Sequence, residues 1–171
     1  MKKLIGPIVV LAFLAWAPAS LAQGTASGNI QALANVLTPV QVTPQRDLDF
    51  GNVIPGTNKS VGITAATSGL WLVQGTAGSE VDIDFTALPA NLASGGDNLP
   101  IVYSATDAGH NPLNDASTAT TFDPASGTTT DIGTPTGTLF VWIGGTVQPS
   151  ALQPSGLYTG TITLTATYTG N

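Results

Sequence analysis

His110 is the one histidine of the chain, and it stands in the stretch "DAGHNPLND". A zinc site needs several nitrogen or sulfur ligands at recurring spacings, and a hydrolytic triad needs a serine on a sharp turn beside the imidazole. Neither a second histidine nor a cysteine is present, and no G-x-S-x-G occurs. The composition around His110 reads as a solvated loop. Asp82 and Asp84 lie two apart, which puts both carboxylates on one strand face. That is the spacing of a paired acid and base, and also of the wet face of a half-buried sheet; the second reading is preferred. Asp97, Asp107 and Asp115, with Asn98 and Asn114, offer oxygen ligands for Ca²⁺, but without the D-x-[DN]-x-[DN]-G order that fixes them around an ion. Trp71 and Trp142 would make a sugar-stacking platform if exposed. Each sits in an apolar stretch, which predicts packing instead. The residues therefore predict no catalytic group, no metal and no cofactor, and the protein is read as a non-enzyme.

What remains is the set of elements that carry these residues. Lys2 and Lys3 precede the apolar run "IVVLAFLAWA", and Ser20, Leu21 and Ala22 follow it. This order predicts a secretory signal peptide over 1–22, cut after Ala22. No later apolar run is long enough to span a bilayer. Beyond the leader only Arg46 and Lys59 oppose ten acidic residues, a balance that repels nucleic acid and anionic lipid. With no cysteine in an exported chain, packing and hydrogen bonds alone must hold the fold.

The hydrophobic pattern is period two almost throughout. Ile30, Ala32, Ala34, Val36, Val40 and Val42 all fall on even positions, and Pro39 divides them into strands over 29–37 and 40–43. Leu48 and Phe50 alternate with Asp47 and Asp49, a short strand that Gly51 ends. Val61 and Ile63 begin another. "GLWLVQG" (69–75) and "SEVDIDFTA" (79–87) read as neighbouring strands, with Val81, Ile83 and Phe85 inward. "LPIVYSA" (99–105) follows. The polar region 106–136 holds one strand near 118–123. "TGTLFVWIGGTV" (136–147) reads as a central strand. In the last stretch threonine takes every second place from Thr159 to Thr169, with Tyr158, Ile162, Leu164 and Tyr168 on the other face. Eight or so short strands between turn signals predict an all-β, Ig-like antiparallel β-sandwich with Greek-key connections. Only two residues follow Thr169, so the last strand is expected at a sheet edge, a template for pairing. The small-residue strand 29–37 is the candidate to fill that edge, in its own chain or in a neighbour.

"NVLTPVQVTPQRDLDFGNVIPG", "LFVWIGGTV" and "GLYTGTITLTATYTG" resemble a family of small secreted bacterial domains of unknown function. That family in turn resembles the spore-coat-protein-U-like pilins of archaic chaperone–usher systems. The resemblance spans nearly all of 29–171 and implies an Ig-like domain over 38–171, completed by the N-terminal extension 23–37 of the next subunit. It implies Ile30, Ala32, Ala34 and Val36 as the donor residues. It implies Tyr158, Ile162, Leu164 and Tyr168 as lining the acceptor groove. The function it implies is a structural subunit of a pilus- or fimbria-like surface fibre, a homopolymer formed by donor-strand exchange. A periplasmic chaperone and an outer-membrane usher would be its assembly partners, and after transit through the periplasm its destination would be the cell surface or the extracellular medium. A second class stays open: a monomeric secreted Ig-like binding module with its own first strand folded back.

Overall fold

A computed structural model describes residues 24–170, so the expected signal peptide lies outside the described residues. The chain divides between Asn35 and Val36. On the first side, Gly24–Asn35 form no strand and are exposed. The strand expected over 29–37 therefore carries no ladder; small residues with high backbone freedom do not hold an isolated strand.

The second unit contains, among the described residues, twelve strands and one 3-10 turn, Ala116–Thr118. In chain order the strands are β1 Gln41–Arg46, β2 Lys59–Val61, β3 Gly69–Gln74, β4 Glu80–Ala87, β5 Asn91–Ser94, β6 Asp97–Val102, β7 Ala108–Asn111, β8 Thr120–Phe122, β9 Thr128–Asp131, β10 Thr138–Ile143, β11 Gly145–Val147 and β12 Thr163–Tyr168. They form a five-stranded sheet β1-β3-β10-β7-β8, a four-stranded sheet β2-β11-β6-β5 and a three-stranded sheet β12-β4-β9. Each pairing is antiparallel.

Alternation explains the layers. On the five-stranded sheet Trp71, Val73, Leu139 and Val141 point inward; on the three-stranded sheet Val81, Ile83, Leu164 and Ala166 meet them in one buried cluster. Two sheets joined by a shared core make a β-sandwich. A smaller cluster of Phe50, Val61, Leu99, Ile101 and Val147 lies on the four-stranded sheet. The stretch 136–147 is central, as its apolar content predicts, but it serves two sheets. The break falls at Gly144, where a side chain would overlap the Val61 carbonyl.

Further expectations change, among them the strand expected to begin at Val61 and Ile63, which instead ends at Val61 as β2. β3 and β4 are not neighbours: β3 pairs with β1 and β10, and the turn at Gly75–Gly78 carries the chain to the other layer. Residues 47–50 alternate in burial, yet only Asp49 N–H finds a backbone partner there, the Thr67 carbonyl at 2.9 Å, so no ladder forms. The polar region 106–136 holds β7 and β9 as well as β8. The last strand begins at Thr163 rather than near Tyr158, because its partner β4 ends at Ala87, two residues before Pro89. Pro44 is tolerated in β1 because that strand is a sheet edge.

Candidate functional site

The second unit carries a groove of about 1090 Å³ between two stretches that belong to none of the twelve strands. One wall is the chain just after β1, Asp47–Val53. The other is the chain leading to β12, Pro154–Ile162. Trp71 of β3, Leu99 and Ile101 of β6, and Val147 of β11 line it between them.

Local chemistry sets each wall. At the end of β1, Arg46 donates through Nε to the Ser68 carbonyl at 2.7 Å and through Nη2 to Ser68 Oγ at 2.9 Å. Leu48 and Phe50 then turn into the smaller core while Asp47 and Asp49 stay exposed. Gly51, with φ of +60°, donates its N–H to Asp49 Oδ1 at 2.7 Å and ends the extended stretch. On the opposite wall, Thr159 exchanges both backbone bonds with Ala93, at 2.8 and 3.0 Å. The Tyr158 hydroxyl accepts from Gln153 Nε2 at 2.8 Å and donates to the Pro154 carbonyl at 2.9 Å. A Cβ at Gly160 would stand 2.8 Å from Leu92 Cδ2, so a side chain there would push Leu92 aside. Residues 160–162 then run free of any ladder until Thr163 meets Ala87.

Beyond the groove the two sheet edges converge, where β1 approaches β12. There the Tyr168 hydroxyl accepts from Thr76 N–H and donates to the Thr38 carbonyl, both at 2.7 Å. Thr38 N–H in turn donates to Thr76 Oγ1 at 2.7 Å. A side chain at Gly75 would overlap the Tyr168 hydroxyl.

Of the expected acceptor residues, Tyr158 and Ile162 line the groove. Leu164 lies in the main core at 6% exposure, and Tyr168 stands at the converged end. The expected donor residues Ile30, Ala32, Ala34 and Val36 are exposed, Ile30 at 96% and Val36 at 91%. Leu37 is half-buried. Sequence reading missed Trp71, Leu99, Ile101 and Val147 as groove residues. Each sits in an apolar run and carries no separate signal.

The other candidates resolve simply. His110 is no loop residue: it lies in β7, half-buried against Phe122 at a ring distance of 5.9 Å. Among the described residues its Nδ1 is buried without a partner, and burial pushes its pKa down. Asp115 caps the 3-10 turn, accepting from Ser117 Oγ at 2.6 Å and Ser117 N–H at 2.9 Å; these bonds hold its carboxyl below the usual range. Asp107 accepts from Ser104 N–H at 2.7 Å, and Asp82 from Thr129 Oγ1 at 2.6 Å. Among the described residues no three His, Cys, Asp or Glu side chains group as metal ligands. Trp71 and Trp142 are both buried, as their apolar surroundings predict. Tyr103 has a buried hydroxyl without a partner among the described residues, and desolvation raises its pKa to about 12. Among the described residues no helix is long and apolar enough to cross a membrane.

The family model described as "Domain of unknown function (DUF4402)" matches residues 40–168. No curated protein and no solved structure matches the chain.

Proposed function

The chain belongs to the DUF4402 family, and we propose that it is a structural subunit of a bacterial surface fibre assembled by donor-strand exchange. The observation that supports this is the groove. Its walls are two backbone stretches outside the twelve strands, bridged where Thr159 meets Ala93, and its lining combines the apolar Leu48, Phe50, Leu99, Ile101 and Val147 with polar side chains such as Asp47, Asn52 and Gln153. Such a trough suits a strand whose backbone pairs with the walls and whose alternate side chains fill the apolar space. The same chain supplies a segment of that kind, with Ile30, Ala32, Ala34 and Val36 in period two. The alanines bury little area, so Ile30 and Val36 are the anchors and the backbone ladder contributes the rest. On this reading the subunit is exported, meets a periplasmic chaperone and an outer-membrane usher, and ends at the cell surface. Kinship with spore-coat-protein-U-like pilins is part of the same proposal.

The test is removal of residues 23–36, followed by gel filtration and electron microscopy with and without a peptide of Asn29–Leu37. The truncated protein should form no fibres and be less stable, and the peptide should restore its stability. A truncated protein that is stable and indifferent to the peptide would exclude strand exchange. A full-length protein that is always a compact monomer, yet unfolds on truncation, would identify the self-complemented binding module instead.

A further inference from the structure

For the N-terminal segment to enter its own groove it must reverse direction just before β1. β1 is an edge strand, so an added neighbour from the same chain lies antiparallel to it and needs a tight turn. A parallel return needs a crossover of a dozen residues or more, and the stretch between Val36 and Gln41 is far shorter. The sequence even offers that turn. Pro39 is suited to the second place of a four-residue turn Thr38–Gln41, which closes when the Thr38 carbonyl accepts from Gln41 N–H.

The structure shows another arrangement. Residues 38–40 form no turn. The Thr38 carbonyl instead accepts from the Tyr168 hydroxyl at 2.7 Å, and Thr38 N–H donates to Thr76 Oγ1 at 2.7 Å. Both backbone groups of Thr38 are thus occupied by side chains from β12 and from the loop after β3. The Tyr168 hydroxyl is itself held by Thr76 N–H at 2.7 Å. Gly75 makes the space, since any side chain there would overlap that hydroxyl. Leu37, next to the latch, is already half-buried.

We infer that the Tyr168 hydroxyl is a positioning group that selects the partner of the N-terminal segment. By holding Thr38 out of the Pro39 turn, it bars the hairpin that self-complementation requires and leaves the segment for a second copy of this chain. The inference rests on the fibre reading.

The test compares the secreted full chain with Tyr168→Phe, which keeps the ring and deletes the hydroxyl, and with Thr76→Val, which deletes the acceptor of Thr38 N–H. Each is unfolded, refolded dilute and analysed by sedimentation velocity, with hydrogen exchange on the monomer peak. Losing one such bond should raise the monomer-to-polymer ratio about tenfold. The new monomer should protect the amides of 30–36. Thr76→Val should shift the ratio in the same direction, and decides the matter if Tyr168→Phe does not fold. Folded variants that polymerise as the natural chain does would overturn the latch and leave the fibre reading standing. A natural chain that is monomeric with 30–36 protected would overturn the latch, because fold-back would then occur with Tyr168 present. A natural chain that neither polymerises nor protects 30–36 would overturn the fibre reading itself.

Discussion

Gln153 donates through Nε2 to the Tyr158 hydroxyl at 2.8 Å, and the same nitrogen reaches the Asn98 carbonyl at 3.1 Å. One amide therefore ties the groove wall to β6. Deleting the hydroxyl with Tyr158→Phe should cost about 1 kcal/mol in a urea melt. It should also weaken capture of the Asn29–Leu37 peptide, because the wall loses its tether. A variant with the natural melt and natural peptide affinity would show that the bond does not position the wall.

Ile162, just before β12, and Leu164, within it, lie on the same side of the chain with different duties. Leu164 is opposite Phe85 in the main core, at 6% exposure. Leu164→Ala should destabilise the fold by about 2–5 kcal/mol. Ile162 is half-buried and lines the groove, so Ile162→Asp should abolish assembly with a smaller loss of fold stability. Thr163→Ser, between them on the exposed face, should be mild in both assays. Equal loss of assembly from Ile162→Asp and Thr163→Ser would contradict the assigned faces.

Burial lowers the pKa of His110 below the ordinary 6.5. The unfolded chain then takes up this proton first as pH falls. The group leaves stability unchanged above the unfolded pKa and reduces it as pH drops through the window down to the folded one. Tm should therefore fall as the pH is lowered through and below the ordinary 6.5, and His110→Gln should fall less over the same interval. An identical pH response in both proteins would mean that His110 titrates as in the unfolded chain.

Export predicts that the intact mass of the secreted protein begins at Gln23. A mass retaining Met1–Ala22 would remove the premise that the segment is free to donate.

The sandwich was legible where apolar and polar residues alternate. β4 reads directly from Val81 and Ile83 against Asp82 and Asp84, and β12 from Leu164 and Ala166 against its threonines. β7 was not legible, because "AGHN" has the composition of a loop. Its burial comes from neighbours: Ala108 and Gly109 lie against β10, and a side chain at Gly109 would press on Ile63 at 2.8 Å. β9, "TTTD", is likewise imposed by pairing with β4. Of the site, the alternating faces of Leu48/Phe50 and Tyr158/Ile162 were readable. That both stretches lie outside the twelve strands, apart from the bridge between Thr159 and Ala93, was not, since alternation reports burial and carries no information on hydrogen-bond partners. Nor does sequence show that Tyr168 meets Thr38, 130 residues away.

The central claim is that the groove of one copy takes the N-terminal strand of another. The chain has no cysteine, so introduced thiols report without interference. A protein carrying Ile162→Cys is mixed with single-cysteine variants at each position from Ile30 to Val36, and oxidised after co-refolding. A disulfide requires Cα atoms within about 7 Å. The account predicts intermolecular disulfides at one or more of positions 30, 32, 34 and 36, and none at 31, 33 and 35. Cross-linking with no preference between even and odd positions, or none at any position, would contradict it.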